Sequence, residues 1–136
     1  MALFPKTELD SVLCALEIKK EVDDFNQKLF TKNHKIEVWM GIHFGKMIIG
    51  TIGEENRLDD TVISDTVNTS SRIESVCEKL KKTIIISQEV VDKVQSASAE
   101  NSPAAFTFER LEDVLVKGKE KPLQIYEVSK IWKKRF

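Results

Sequence analysis

The first part of the chain changes from a short apolar run to a helical pattern. Residues 1–4 are MALF and are followed by Pro5, which favours the end of a buried strand. From Thr7 the apolar residues recur every three or four positions with charged residues between them. This period predicts a helix from about Thr7 to Leu29.

Two runs rich in branched residues follow a polar break at residues 32–35. Residues 36–45 are IEVWMGIHFG and residues 46–53 are KMIIGTIG, with the boundary between them at Gly45 and Lys46. Their composition predicts two strands joined as a hairpin. The next seven residues, 54–60, are EENRLDD and carry five charges, which predicts a solvated loop.

The second half alternates strands and helices. TVIS at residues 61–64 returns to strand character, and Asp65 is expected to cap a helix that runs to about Leu80. The remaining pattern predicts a strand at 83–87, a short helix at 88–94, a loop at 96–104 and strands at 106–111, 113–116 and 122–132. Strands interleaved with three helices predict an α/β or α+β fold.

Composition excludes several classes of function. The 136 residues include 21 basic and 22 acidic side chains, so the broad basic field of a nonspecific nucleic-acid partner is missing. No apolar run approaches the roughly 20 residues of a membrane span, and we expect a cytoplasmic chain. Cys14 and Cys77 lie in apolar helical stripes, which is typical of reduced, buried thiols. Two distant histidines give no support for a zinc site.

Two polar patterns point to phosphate chemistry. Asn68 and Arg72 are four residues apart in a predicted helix, so they share a face about 100° from the apolar stripe that begins at Ile73. An amide beside a guanidinium suits a sugar and a phosphate. In residues 116–121, VKGKEK, a glycine between Lys117 and Lys119 permits a tight turn around phosphates. Taken singly, each pattern is more often solvated surface.

Four blocks in order resemble the class III nucleotidyl cyclase catalytic domain, the adenylate and guanylate cyclase family. They are MALFP at 1–5, GIHFGKMIIGTIG at 41–53, RLDDTVISDTVNTSSRIES at 57–75 and VLVKGKEKPLQIYEV at 114–128. The resemblance implies a ferredoxin-like fold with a mixed, mostly antiparallel sheet and helices packed on it. By that comparison residues 1–136 are one partial domain, the C-terminal two-thirds of the family's catalytic domain.

The resemblance also implies an activity and assigns residues to it. The family is a lyase that converts a nucleoside triphosphate into a 3′,5′-cyclic nucleotide and pyrophosphate. By similarity, Asn68 holds the ribose, Arg72 stabilises charge on the α-phosphate, and Lys117 contacts the terminal phosphates. Thr61 matches the position that selects the base, where adenylate cyclases carry Asp, Thr or Ser and guanylate cyclases carry Cys. It favours ATP over GTP, although Thr61 is also an ordinary β-branched strand residue.

The sequence departs from the family in its metal ligands. The family binds Mg²⁺ or Mn²⁺ through two aspartates that precede the matched segment, so we expect no metal ligands in this chain and no activity from it alone. Asp59 and Asp60 fall in the predicted loop, and Asp65 is explained as a helix cap. Ser64 stands where the family usually has glycine.

In the family, the active site lies between the two subunits of a dimer. This arrangement indicates which subunits the chain is expected to pair with. One subunit gives the metal aspartates and the other gives the asparagine and arginine. We therefore expect a homodimer or a pair with a complete cyclase subunit. The alternative is a noncatalytic nucleotide-binding, regulatory or dimerisation module derived from a cyclase.

Overall fold

The computed structural model describes residues 1–28, 34–52, 59–63, 65–101, 105–116 and 120–131. Within these ranges the elements, in chain order, are α1 (Glu8–Lys28), β1 (Met40–Ile42), β2 (Ile48–Ile52), β3 (Asp59–Ile63), α2 (Asp65–Leu80), β4 (Ile84–Ser87), α3 (Gln88–Asn101), β5 (Ala105–Arg110) and β6 (Ile125–Ile131). The predicted helices at 7–29 and 65–80 are confirmed to within one residue, because their periodicity is strong and local.

Four strands form a mixed sheet in the order β1-β4-β6-β5. β1 runs parallel to β4, with Gly41 opposite Ile85, whereas β4 and β5 are both antiparallel to β6. An isolated antiparallel bridge pairs Val114 with Leu123, which lies two residues before β6. The predicted α+β fold with a mixed, mostly antiparallel sheet is confirmed.

Helices cover both faces of this sheet, and the alternation of side chains along β4 divides the core in two. Ile84 and Ile86 join the cluster under α1 and α3, while Ile85 joins the cluster under α2. All four residues of β4 are buried. A strand that is apolar on both faces needs a layer of helices on each side, and this decides where α2 lies.

β2 and β3 form a separate two-stranded antiparallel sheet, here called the ribbon. The predicted hairpin of residues 36–45 with 46–53 is therefore wrong, since β1 pairs with β4 and β2 pairs with β3. Short apolar runs do not indicate which strand they will pair with. The prediction of a loop at Asp59 and Asp60 is also wrong. Both lie in β3, where backbone pairing with Ile52 and Thr51 does not depend on an apolar side chain.

Two further expectations are corrected by the fold. Residues 1–4 form no strand and are exposed, because no strand of the described chain pairs with them. α3 continues to Asn101 through the loop predicted from Ser96. There the Ser96 hydroxyl donates a hydrogen bond to the Asp92 carbonyl, 2.9 Å away, and the alanines favour helix. The lysine turn at 117–119 lies outside the described residues.

Candidate active site

Helix α2 presents the two polar residues that the sequence singled out. Asn68 and Arg72 are both exposed, one turn apart, on a face turned away from the buried residues of the helix. Those buried residues are Thr66, Thr69, Ile73 and Cys77. The helix therefore carries the asparagine and the arginine on one exposed face.

The backbone of α2 packs directly against the backbone of β1 at Gly41. A Cβ atom on Gly41 would lie 2.4 Å from the backbone nitrogen of Glu74 and 2.7 Å from the carbonyl oxygen of Ser70. The Ser70 hydroxyl donates a hydrogen bond of 3.0 Å to the Gly41 carbonyl, and the Cys77 thiol donates one of 3.3 Å to the Met40 carbonyl. These contacts fix the height of the helix above the sheet.

The first turn of α2 also contacts the segment that joins β1 to the ribbon. The Thr66 hydroxyl donates a hydrogen bond to the Lys46 carbonyl, 2.8 Å away. A Cβ atom on Gly45 would lie 2.4 Å from the same hydroxyl oxygen, so only glycine leaves room for this contact. No motif in the sequence predicted these contacts. The signals for them were the two glycines of GIHFG and the hydroxyl residues four apart in the helix.

Buried polar groups near α2 are structural. Burial raises the pKa of the Cys77 thiol to about 11, although hydrogen bonds from the backbone oppose the shift. The thiol is therefore neutral at physiological pH. The His43 side chain is 5% exposed; its Nδ1 lies 2.9 Å from the Ser87 hydroxyl and 3.9 Å from a Glu89 carboxylate oxygen. This contact joins the end of β1 to the end of β4.

Of the other predicted site residues, the structure describes only the position of Thr61 along its strand. Thr61 lies in β3, opposite Gly50 of β2. Lys117 and Ser64 lie outside the described residues. Thus the described chain brings Asn68 and Arg72 together on α2 and puts Thr61 on the ribbon that leads into that helix.

Among the described residues, no three histidine, cysteine or acidic side chains are grouped so that they could hold a metal ion. A groove of about 750 Å³ runs between residues 1–5, α1, β1 and α2, but neither Asn68 nor Arg72 lines it. No helix in the described ranges is both long and apolar enough to span a bilayer.

Comparison with known proteins identifies the family. Residues 5–130 match the family model described as the adenylate and guanylate cyclase catalytic domain. The chain therefore belongs to the class III adenylate and guanylate cyclase family. Domains of this family bind a nucleotide substrate, form dimers and are generally metal-dependent.

Individual relatives agree with this assignment. The chain is 35% identical over 136 residues to an adenylate cyclase of Anabaena cylindrica, covering 95% of this chain and 26% of that protein. It is similar to the crystal structure of the adenylyl cyclase CyaB from P. aeruginosa, with 26% identity, a TM-score of 0.58 and coverage of 88% and 55% of the two chains. The guanylyl cyclase Cya2 gives 26% identity, a TM-score of 0.59 and coverage of 89% and 57%. The chain thus spans about a quarter of the Anabaena protein and just over half of each crystallised one.

Proposed function

We propose that this chain supplies the asparagine and the arginine of a class III cyclase active site that is shared between two subunits. The complete site converts ATP into 3′,5′-cyclic AMP and pyrophosphate. The observation that carries the proposal is the pair Asn68 and Arg72, exposed on one face of a helix whose other face is seated on the sheet. The family's chemistry uses both side chains at this spacing.

The proposed chemistry requires positioning and charge stabilisation. The ribose 3′-oxygen forms a bond to the α-phosphorus while the bond from that phosphorus to the pyrophosphate oxygen breaks. Asn68 would hydrogen-bond the ribose so that the attacking oxygen is in line. Arg72 lies about 6 Å further along the helix axis, and its planar donor fork would stabilise the charge that develops on the α-phosphate. Lys117 is proposed to contact the departing pyrophosphate.

ATP is the proposed substrate because of Thr61 and the relatives. A threonine hydroxyl at the base-selecting position can hydrogen-bond the adenine edge, and the Anabaena relative is an adenylate cyclase. GTP is less favoured, although the guanylyl cyclase Cya2 has a similar fold. The product would act in intracellular signal transduction, in the cytoplasm.

The proposed catalytic unit is a pair of subunits. In the family's division of the active site, a complete cyclase subunit would bring the carboxylates that bind Mg²⁺ or Mn²⁺, and this chain would bring Asn68 and Arg72. A homodimer of this chain would then be inactive. The alternative is a noncatalytic nucleotide-binding, regulatory or dimerisation module derived from a cyclase.

Complementation tests the proposal. The purified chain is mixed with a complete class III adenylate cyclase subunit that keeps its metal aspartates but has alanine at its own asparagine and arginine positions. Cyclic AMP is measured with Mn²⁺ and ATP. We expect activity in the mixture and none from either partner alone.

Variants of α2 provide the controls. Asn68→Ala and Arg72→Ala should abolish complementation, whereas Ser71→Ala, an exposed position between them, should leave it unchanged. Activity of the chain alone would show that its own acids bind metal and would overturn the division of roles. A silent mixture in which the chain still binds a labelled ATP analogue would support the noncatalytic module instead.

A further inference from the structure

Two hydroxyl side chains of α2, four residues apart on one face, contact two different parts of the molecule. Ser70 donates its hydrogen bond to Gly41, which belongs to β1 in the four-stranded sheet. Thr66 donates its hydrogen bond to Lys46, two residues before β2 and the ribbon begin. The helix is therefore fastened separately to the sheet and to the base of the ribbon.

The ribbon is joined through the chain to β1 and to α2 but lies outside the four-stranded sheet. In the described part of the chain, β2 and β3 pair only with each other, and neither pairs with a strand of the larger sheet. Two-stranded ribbons of this size are marginally stable without support from the rest of a fold. A hydrogen bond at its base is well placed to set its angle relative to α2.

The contact at Thr66 is close and specific. Thr66 is buried, and its hydroxyl lies over Gly45, where any Cβ would displace it. The acceptor is a backbone carbonyl, so the bond constrains the path of the chain between β1 and β2 and does not depend on the Lys46 side chain. Loss of this donor would leave the segment between β1 and β2 without this bond to α2.

We infer that Thr66 is a positioning residue that holds the ribbon bearing Thr61 at a fixed spacing from the helix bearing Asn68 and Arg72. The inference rests on the proposed function, in which the ribbon contacts the base and the helix contacts the ribose and the α-phosphate. Thr66 then sets the distance between the protein groups that contact the base and those that contact the ribose and the α-phosphate. It therefore affects the choice between ATP and GTP.

Thr66 and Ser70 should differ in their effect on base selection. Ribose and phosphates are common to ATP and GTP, while the hydrogen-bonding edges of adenine and guanine differ. A ribbon that shifts changes the base contacts and alters the ratio of the two activities. A helix that shifts on the sheet, as expected after loss of the Ser70 bond, changes both activities together.

The first experiment measures kcat/KM for ATP and GTP in the complementation mixture. Thr66→Val keeps the size of the side chain but removes the donor, and we expect a roughly three- to tenfold fall in the ATP-to-GTP ratio. Thr66→Ser keeps the donor and should restore the ratio. Ser70→Ala should lower both activities and leave the ratio within about twofold. An unchanged ratio in Thr66→Val, or an equal change in Ser70→Ala, would overturn the inference.

The second experiment needs no catalysis and uses the full chain alone. Amide hydrogen exchange of residues 47–52 and 59–63 should be several-fold faster in Thr66→Val than in Thr66→Ser, while residues 84–87 of the sheet should be unchanged. Uniform acceleration, or none, would refute the fastening of the ribbon. A silent wild-type mixture would refute the proposed function, and with it the specificity role, even if the exchange result held.

Discussion

Replacing Gly41 with alanine tests how α2 is seated on the sheet. The new Cβ would lie 2.4 Å from the Glu74 nitrogen, 2.7 Å from the Ser70 oxygen and 2.9 Å from the Glu74 Cα, and all three are backbone atoms. They cannot rotate away as a side chain can. The helix must therefore retreat by about 1 Å, which brings the 2.4 Å separation to the 3.4 Å at which ordinary contact begins.

The energetic cost combines three effects. Overpacking of this kind costs about 1–3 kcal/mol. The retreat also stretches the 3.0 Å hydrogen bond from Ser70 to Gly41 beyond its useful range, at about 1 kcal/mol. Alanine also lowers the conformational entropy of the unfolded chain, which offsets the loss of stability by about 0.4–1 kcal/mol. We expect Gly41→Ala to lower the free energy of unfolding by about 2 kcal/mol.

Urea unfolding followed by circular dichroism measures this loss. The midpoint should fall while the dependence on urea stays constant, because the surface exposed on unfolding is the same. Gly45→Ala is the matched control, since its new Cβ meets the Thr66 side chain rather than backbone. Displacing the Thr66 hydroxyl removes its bond to Lys46, at about 1 kcal/mol, which the effect of alanine on the unfolded chain partly offsets, so we expect a net loss below about 1 kcal/mol. Equal losses in the two variants, or a Gly41→Ala protein within about 0.5 kcal/mol of the wild type, would refute the argument from backbone contact.

Three further predictions concern other positions. Arg72→Lys should keep its melting temperature but reduce complementation roughly 100-fold, because the ammonium cannot replace the planar donor fork; cyclic AMP formation measures this, and equal activity would contradict it. Since burial raises the pKa of the Cys77 thiol to about 11, its contribution to stability is complete below pH 9 and is lost as the pH rises through 11. Urea unfolding at several pH values should show a steeper decline in the wild type and in Cys14→Ser than in Cys77→Val, where only groups such as Lys82, held by Glu127, still titrate. Ile85→Ala, at a fully buried position of β4, should cost about 2–5 kcal/mol in the same unfolding assay, and a smaller loss would mean that the core collapses around the cavity.

The sequence by itself determined the elements whose signals are local. The three- and four-residue period of α1 and α2, and the apolar run at 84–86, predicted the two helices and the strand, since a helix or a strand is defined by neighbouring residues. The spacing of Asn68 and Arg72 likewise fixed their common face before any fold was known. The order of motifs was enough to identify the family, which the comparison confirmed.

The tertiary structure decided what depends on distant residues. β1 pairs with β4 across more than 40 residues, and Asp59 enters a strand because Ile52 offers backbone partners. Neither pairing is encoded in a local pattern, since backbone hydrogen bonds are the same for every side chain. The close approach at Gly41 and the bond from Thr66 to Lys46 also exist only once helix and strand are packed. The sequence therefore specified which side chains share a face of α2, while tertiary packing decided the position of that helix relative to β1 and the ribbon.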